Sequence, residues 1–140
     1  MKSFNLIFGA LLLFIFLLTG IYLRYLFRNE HLSDLTVRME IRANHVYILF
    51  ASLLNILSYK VEFSNRINWI KIVERLFRSG LIISGVLFLI AFVTDHRNSI
   101  TDRYVTFYAV LFSLIPIVAI LINEIISYCR AQVSSDKSHF

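Results

Sequence analysis

Four long apolar runs, separated by shorter polar stretches, set the pattern of this chain. The runs are Phe4–Leu23, Asn44–Tyr59, Ser79–Thr94 and Tyr104–Asn123. About 20 apolar residues are needed to cross the hydrocarbon core of a bilayer as a helix. The first and last runs meet that length, and the two middle runs reach it if the helical patterns before them are included. The sequence therefore predicts an all-α integral membrane protein with four transmembrane helices in a bundle. We expect the helices at about 4–27, 34–60, 66–94 and 103–128, forming one domain over residues 1–130, followed by a polar tail, 131–140.

Composition supports this class. Of 140 residues, 58% are hydrophobic and 16% are charged, whereas soluble domains have about 45–50% apolar and about 25% charged residues. Only four glycines and one proline are present, which favours long helices over a turn-rich β fold. Lys2 before the first run is also typical of a signal peptide. That run has no A-x-A pattern and continues into "IYLRYLF", so we interpret it as an uncleaved helix.

The distribution of basic residues predicts the orientation. Four crossings place both termini and the middle loop on one face of the membrane, here called side A, and the other two loops on side B. Side A then carries eight Lys and Arg residues and side B carries six. Cytoplasmic loops carry the excess of Lys and Arg. We therefore expect side A to be cytoplasmic, most simply in a bacterial-type inner membrane.

A basic amphipathic segment precedes the third apolar run. In "SNRINWIKIVERLFRSG" the side chains of Lys71, Arg75 and Arg78 recur at steps of four and three, so they share one helical face. Apolar residues cover much of the remaining surface. Such a segment can lie in the headgroup layer or extend the third helix. The two interpretations are a simple topology anchor and recognition of lipid headgroups by these three side chains.

Polar side chains recur on single faces of the apolar helices. The second helix carries Ser52, Asn55 and Tyr59, the third carries Ser84, and the fourth carries Ser113 and Asn123. Membrane helices pack through small residues and interhelical hydrogen bonds, and an amide finds no partner in lipid. We therefore predict that these residues face the interior of the bundle. The alternative is that they line a site or a water-filled path.

Histidines and carboxylates gather on side B. His45 lies about one turn into the second helix, His96 follows the third, and the neighbouring Asp95 could hold an imidazole in one tautomer. Together the two histidines could bind a metal or hold a haem. Ordinary loop polarity with one packed histidine is the competing interpretation. Because no ligand spacing is recognisable and Arg42 adds positive charge beside His45, the pattern names no cofactor.

No enzyme motif is present: the chain lacks GxGxxG, Walker A, HExxH and GxSxG patterns, and its single cysteine, Cys129, excludes an intrachain disulfide. The net charge of +5 is dispersed, which gives no support to nucleic-acid binding. The sequence favours a structural, accessory or assembly component over an enzyme, with membrane lipids and other integral membrane proteins, or further copies of itself, as partners. The alternatives are a redox or metal/haem-binding membrane protein using His45 and His96, and a small pore or transport element lined by these polar helical faces.

Overall fold

The computed structural model describes residues 2–27, 35–61, 68–95 and 103–136. In these ranges the regular secondary structure is entirely helical. The helices are α1 (Lys2–Tyr22), α2 (Leu35–Ser58), α3 (Asn68–Thr94) and α4 (Tyr104–Asp136), with a π-helical turn, Leu23–Phe27, continuing α1. The predicted all-α class is confirmed, and so is the number of long apolar helices.

Each helix is long and apolar enough to cross a membrane. The qualifying spans are Lys2–Tyr25, Val37–Ser58, Lys71–Thr94 and Tyr104–Ile122. The basic segment predicted before the third run is continuous with α3 from Asn68 onward, and its earlier residues lie outside the described ranges. α4 continues to Asp136, beyond the predicted end at 128, because no glycine or proline follows Pro116 to stop it. Residues 137–140 of the predicted tail lie outside the described part.

The helices pack in chain order. α1 lies along α2, α2 along α3, and α3 along α4, while α1 also contacts α3 to a smaller extent. Sequential neighbours are antiparallel: Gly9 of α1 approaches Ile56, whereas Thr19 bonds to His45. The two outer helices are the least covered, since 11% of the α1 span and 22% of the α4 span are buried, against 39% for each of α2 and α3.

Close approaches between helices occur at glycines. A Cβ atom on Gly9 would lie 3.0 Å from both the backbone nitrogen of Ile56 and the carbonyl oxygen of Ser52, so only glycine allows α1 to approach α2 this closely. A Cβ on Gly80 of α3 would lie 3.2 Å from Cγ of Pro116 and 3.5 Å from the carbonyl oxygen of Phe112. Pro116 has no N–H for that carbonyl, which therefore faces the glycine of the neighbouring helix.

A small apolar core lies where the helices meet. Its fully buried members are Leu12, Ile48, Ala51, Phe88 and Ala109. Much of the large apolar side-chain surface points outward instead, with Ile7 69% exposed on α1 and Ile115 61% exposed on α4. An apolar exterior around an interior rich in polar side chains is the arrangement expected of helices packed within lipid.

Candidate functional site

Polar side chains, most of them buried, form two clusters near opposite ends of the helices. The amide cluster consists of Asn5, Asn55, Ser58, Glu74 and Arg78. The Asp95 cluster consists of Asn44, Asp95, Arg103 and Thr106. Each cluster draws side chains from three helices or from the residues at their ends, so these groups decide how the helices are held together.

Asn5 and Asn55 join three helices at the centre of the amide cluster. Both side chains are 0% exposed. Nδ2 of Asn5 donates to Oδ1 of Asn55 at 3.1 Å and to the carbonyl oxygen of Arg78 at 3.1 Å. Nδ2 of Asn55 donates to the carbonyl oxygens of Ala51 and Leu81 at 2.9 and 3.1 Å. The two amides therefore bind α1, α2 and α3 to one another through side-chain and backbone groups.

Arg78 ties the end of α2 to α3. Its side chain is 3% exposed, and its guanidinium donates to Oε1 of Glu74 at 2.8 Å and to the carbonyl oxygens of Ser58 and Val61 at 2.6 and 2.9 Å. The last carbonyls of a helix have no partner within it, and Arg78 supplies donors to the end of α2. Among the three predicted headgroup contacts, the expectation for Arg78 is therefore wrong, since these carbonyls draw it inward. Lys71 and Arg75 are exposed.

Two buried serine hydroxyls each donate a hydrogen bond to a backbone carbonyl. Ser52 is 0% exposed and its hydroxyl donates to the carbonyl oxygen of Gly9 on α1 at 2.8 Å. Ser113 is 1% exposed and donates to the carbonyl oxygen of Val110 in its own helix at 2.8 Å. Ser84 is also buried. Within the described ranges, three buried side-chain atoms have no hydrogen-bond partner: Asn5 Oδ1, Ser84 Oγ and Arg103 Nε.

The Asp95 cluster holds the beginning of α4. Asp95 is 1% exposed and directly follows α3. Its Oδ2 accepts the backbone N–H of Thr106 at 3.0 Å and the Thr106 hydroxyl at 2.5 Å. The first N–H groups of a helix lack partners within it and favour negative charge, so the carboxylate acts as a cap supplied from the preceding helix.

Asn44 connects α2 to the same cluster. Its Nδ2 donates to the carbonyl oxygen of Ala91 on α3 at 3.0 Å, and its Oδ1 accepts a hydrogen bond from the guanidinium of Arg103. α2 is thus bound to α3 at both ends, by Asn44 near one end and by Asn55 near the other. The spacing of these two asparagines, about three helical turns, places them on one face.

His45 takes part in packing between α1 and α2. Its Nδ1 lies 2.9 Å from Oγ1 of Thr19, and its ring stacks on Phe16 with centroids 4.2 Å apart. A Cβ on Gly20 would lie 3.5 Å from Nε2, so the second ring nitrogen faces the α1 backbone. His96 lies outside the described residues. Asp95, expected beside an imidazole, bonds to Thr106 instead. In the described part of the chain, no three His, Cys, Asp or Glu residues are placed to hold a metal ion together.

The polar residues that were predicted to face the interior of the bundle are only partly brought together. Ser52, Asn55, Ser84 and Ser113 are buried. Tyr59 lies outside this interior set, with its side chain 46% exposed, because α2 ends at Ser58 and the chain turns there. The backbone of Asn123 belongs to α4, and its side chain lies outside the described part.

Several interior residues were missed by the sequence reasoning. They are Asn5, Asn44 and Arg103, together with the capping role of Asp95. A signal for two of them is present: Asn5 is the one amide in the first apolar run, and Asn44 lies on the same helical face as Asn55. Thr106 lies two helical turns before Ser113, so the polar face of the fourth apolar run does include it. For Arg103 no sequence pattern indicates a contact with the interior.

Comparison with protein-family models, with curated proteins and with solved structures finds no match to this chain.

Proposed function

We propose that the chain is an integral protein of a bacterial-type inner membrane, crosses it four times, and acts as a structural, accessory or assembly component that binds other membrane proteins. The proposed role is supported by what the buried polar side chains bind and by what the outer faces expose. The buried amides, hydroxyls and guanidinium bind helices to one another, while the outer faces of α1 and α4 are apolar and exposed.

Exposed tyrosines support insertion in a membrane. Tyr104 and Tyr108 are 63% and 54% exposed at the beginning of the α4 span, and Tyr22 is 39% exposed at the end of α1. Tyrosine is enriched at membrane–water interfaces. These positions at the ends of the helices suit an interface.

The excess of basic residues on side A supports a cytoplasmic location of both termini. Fusions of alkaline phosphatase to the C-terminus test this orientation. We expect the fusion to be inactive, because the enzyme requires export to fold, and a fusion placed in the loop between α1 and α2 to be active. An active C-terminal fusion with an inactive loop fusion would reverse the proposed orientation.

Contacts of the interior residues favour the assembly role over a water-filled path. Ser52 and Asn55 donate to backbone carbonyls of neighbouring helices, so they close the space between helices. The environment of His45 likewise gives little support to a haem or metal role, since both ring nitrogens face α1. A purified protein whose absorbance shows a haem band that disappears in His45→Ala would replace the assembly role with the redox alternative.

Face-directed substitutions test the assembly role. Two differently tagged copies are expressed together, extracted in mild detergent, and purified through one tag, and the bound proteins are identified by mass spectrometry. We expect another copy of the chain or defined membrane proteins to be recovered. Ile7→Trp on α1 or Ile115→Trp on α4 should remove them, because a large side chain there blocks close helix contact.

Val93→Trp on α3 is the matched control. Val93 is 64% exposed, comparable to Ile7 and Ile115, but it lies on a helix outside the proposed binding faces. We expect this variant to retain the associated proteins. If the control loses them to the same extent, or if nothing is recovered with the unmodified chain, the assembly role is contradicted.

A further inference from the structure

The beginning of α3 presents two basic side chains that no described acidic residue neutralises. Lys71 and Arg75 are exposed and lie one helical turn apart. Glu74 lies between them in sequence, but its carboxylate accepts the Nε–H of Arg78 at 2.8 Å. The one acidic residue in the described part of this segment is therefore paired with the buried arginine and does not pair with Lys71 or Arg75.

A third basic residue belongs to the same end of the molecule. Lys60 is exposed in the turn that follows α2. Arg78 binds the carbonyl oxygens of Ser58 and Val61, which holds this turn against α3. In the described ranges, no ion pair involves Lys60, Lys71 or Arg75. We call these three residues the basic edge.

Large apolar side chains lie beside the basic edge. Ile72 and Leu76 follow Lys71 and Arg75 by one residue each and are 59% and 63% exposed. Because successive residues of a helix are about 100° apart, they form a parallel apolar row. A helix with an apolar row next to a basic row suits the boundary between acyl chains and headgroups, where basic side chains extend along apolar surface and keep their charge in the polar layer.

We propose that the basic edge binds the phosphate of an anionic phospholipid, whose acyl chains lie against Ile72 and Leu76. The complementary charge and the adjoining apolar row together favour a lipid over a soluble anion. Arg78 takes no part, because its donors are used by Glu74 and the end of α2. This inference rests on the proposed membrane insertion and is independent of the proposed assembly role.

Lipid selectivity in reconstituted vesicles tests the proposal. The purified protein is placed in phosphatidylcholine bilayers with a trace of spin-labelled lipid, and the motionally restricted fraction is measured for labelled phosphatidylglycerol and labelled phosphatidylcholine. We expect phosphatidylglycerol to be preferred, with a preference that decreases as salt is raised. One basic residue near an anionic surface changes association about fivefold, but the motionally restricted fraction averages over every lipid in contact with the protein. Lys71→Gln/Arg75→Gln should therefore remove the measured preference, so that the two labelled lipids give equal restricted fractions.

Two matched variants separate this site from general charge. Lys71→Arg/Arg75→Lys keeps both charges and should keep the preference. Arg42→Gln removes one exposed charge at the other end of α2 and should leave the preference unchanged. The proposal is overturned if the charge-removing variant keeps the preference, if Arg42→Gln lowers it equally, or if soluble glycerol phosphate at matched ionic strength displaces the lipid. Absence of a restricted component for either lipid would refute membrane insertion itself, whereas equal fractions for the two lipids with the unmodified chain would refute only the basic edge.

Discussion

Replacement of Gly9 by alanine should force α1 away from α2. The added Cβ would lie 2.8 Å from Cγ1 of Ile56 and 3.0 Å from two backbone atoms, the nitrogen of Ile56 and the carbonyl oxygen of Ser52. A flexible side-chain end could move aside at little cost. The backbone of α2 cannot, because Asn55 binds it to α3. The helices must therefore separate along their contact.

Two contributions lower the free energy of unfolding of Gly9→Ala, and one raises it. Overpacking of this kind costs about 1–3 kcal/mol. Separation also weakens the hydrogen bond from Ser52 to the Gly9 carbonyl, and an interhelical hydrogen bond contributes about 0.6 kcal/mol on average. In the opposite direction, alanine is favoured over glycine within a helix by about 1 kcal/mol. We expect Gly9→Ala to lower the free energy of unfolding by about 1–2 kcal/mol.

Gly20→Ala is the matched control in the same helix. A Cβ there would lie 3.4 and 3.5 Å from ring atoms of His45, which is ordinary van der Waals contact. This variant gains the same helix propensity without the clash, so it should be as stable as the unmodified protein or slightly more stable. The difference between the two variants isolates the packing cost, and we expect it to be about 2–3 kcal/mol.

Reversible unfolding in mixed micelles measures this difference. Dodecyl sulfate is titrated into the protein in dodecyl maltoside, and the helical circular dichroism is followed for the unmodified chain and both variants. Equal stability of Gly9→Ala and Gly20→Ala would refute the reasoning, because the two variants differ in the close approach at Gly9. Destabilisation of both variants by the same amount is one form of this result, and it would show a general intolerance of α1 toward alanine.

Three further predictions use the same unfolding assay. Asn55→Leu should destabilise the fold by on the order of 1 kcal/mol, because three helices lose their shared amide; unchanged stability would contradict the role of the amide cluster. Arg78→Met should cost about 3 kcal/mol by leaving the Glu74 carboxylate without its partner, and Arg78→Met/Glu74→Gln should recover part of that loss, whereas an additive double variant would show that the pair is not coupled. Thr106→Val should cost about 1.5–3 kcal/mol, the value of a hydrogen bond to a charged group, while Thr106→Ser should stay near the unmodified stability; equal loss in both would argue against the hydroxyl bond to Asp95.

Periodicity and the length of the apolar runs determined the helices. The predicted starts and ends agree to within about two residues with α1 taken together with its π-helical turn, with α2 and with α3. A helix is the conformation in which a long apolar run satisfies its backbone polar groups within itself. Burial of Ser52 and Asn55 also follows from the sequence, since both belong to a single polar face. α4 exceeded its predicted length because polarity alone does not end a helix.

The roles of individual polar side chains were decided by tertiary structure. Lys71, Arg75 and Arg78 share one stripe in the sequence, yet Arg78 turns inward because its level on α3 coincides with the unpaired carbonyls at the end of α2. In the sequence, Asp95 is indistinguishable from an ordinary loop carboxylate. In the structure, α4 begins beside it, and the backbone N–H of Thr106 donates to its carboxylate. Periodicity reports the direction of a side chain on its own helix. Which unpaired backbone group it can reach depends on the register between helices, and that register is set by packing at positions such as Gly9, far away in the chain.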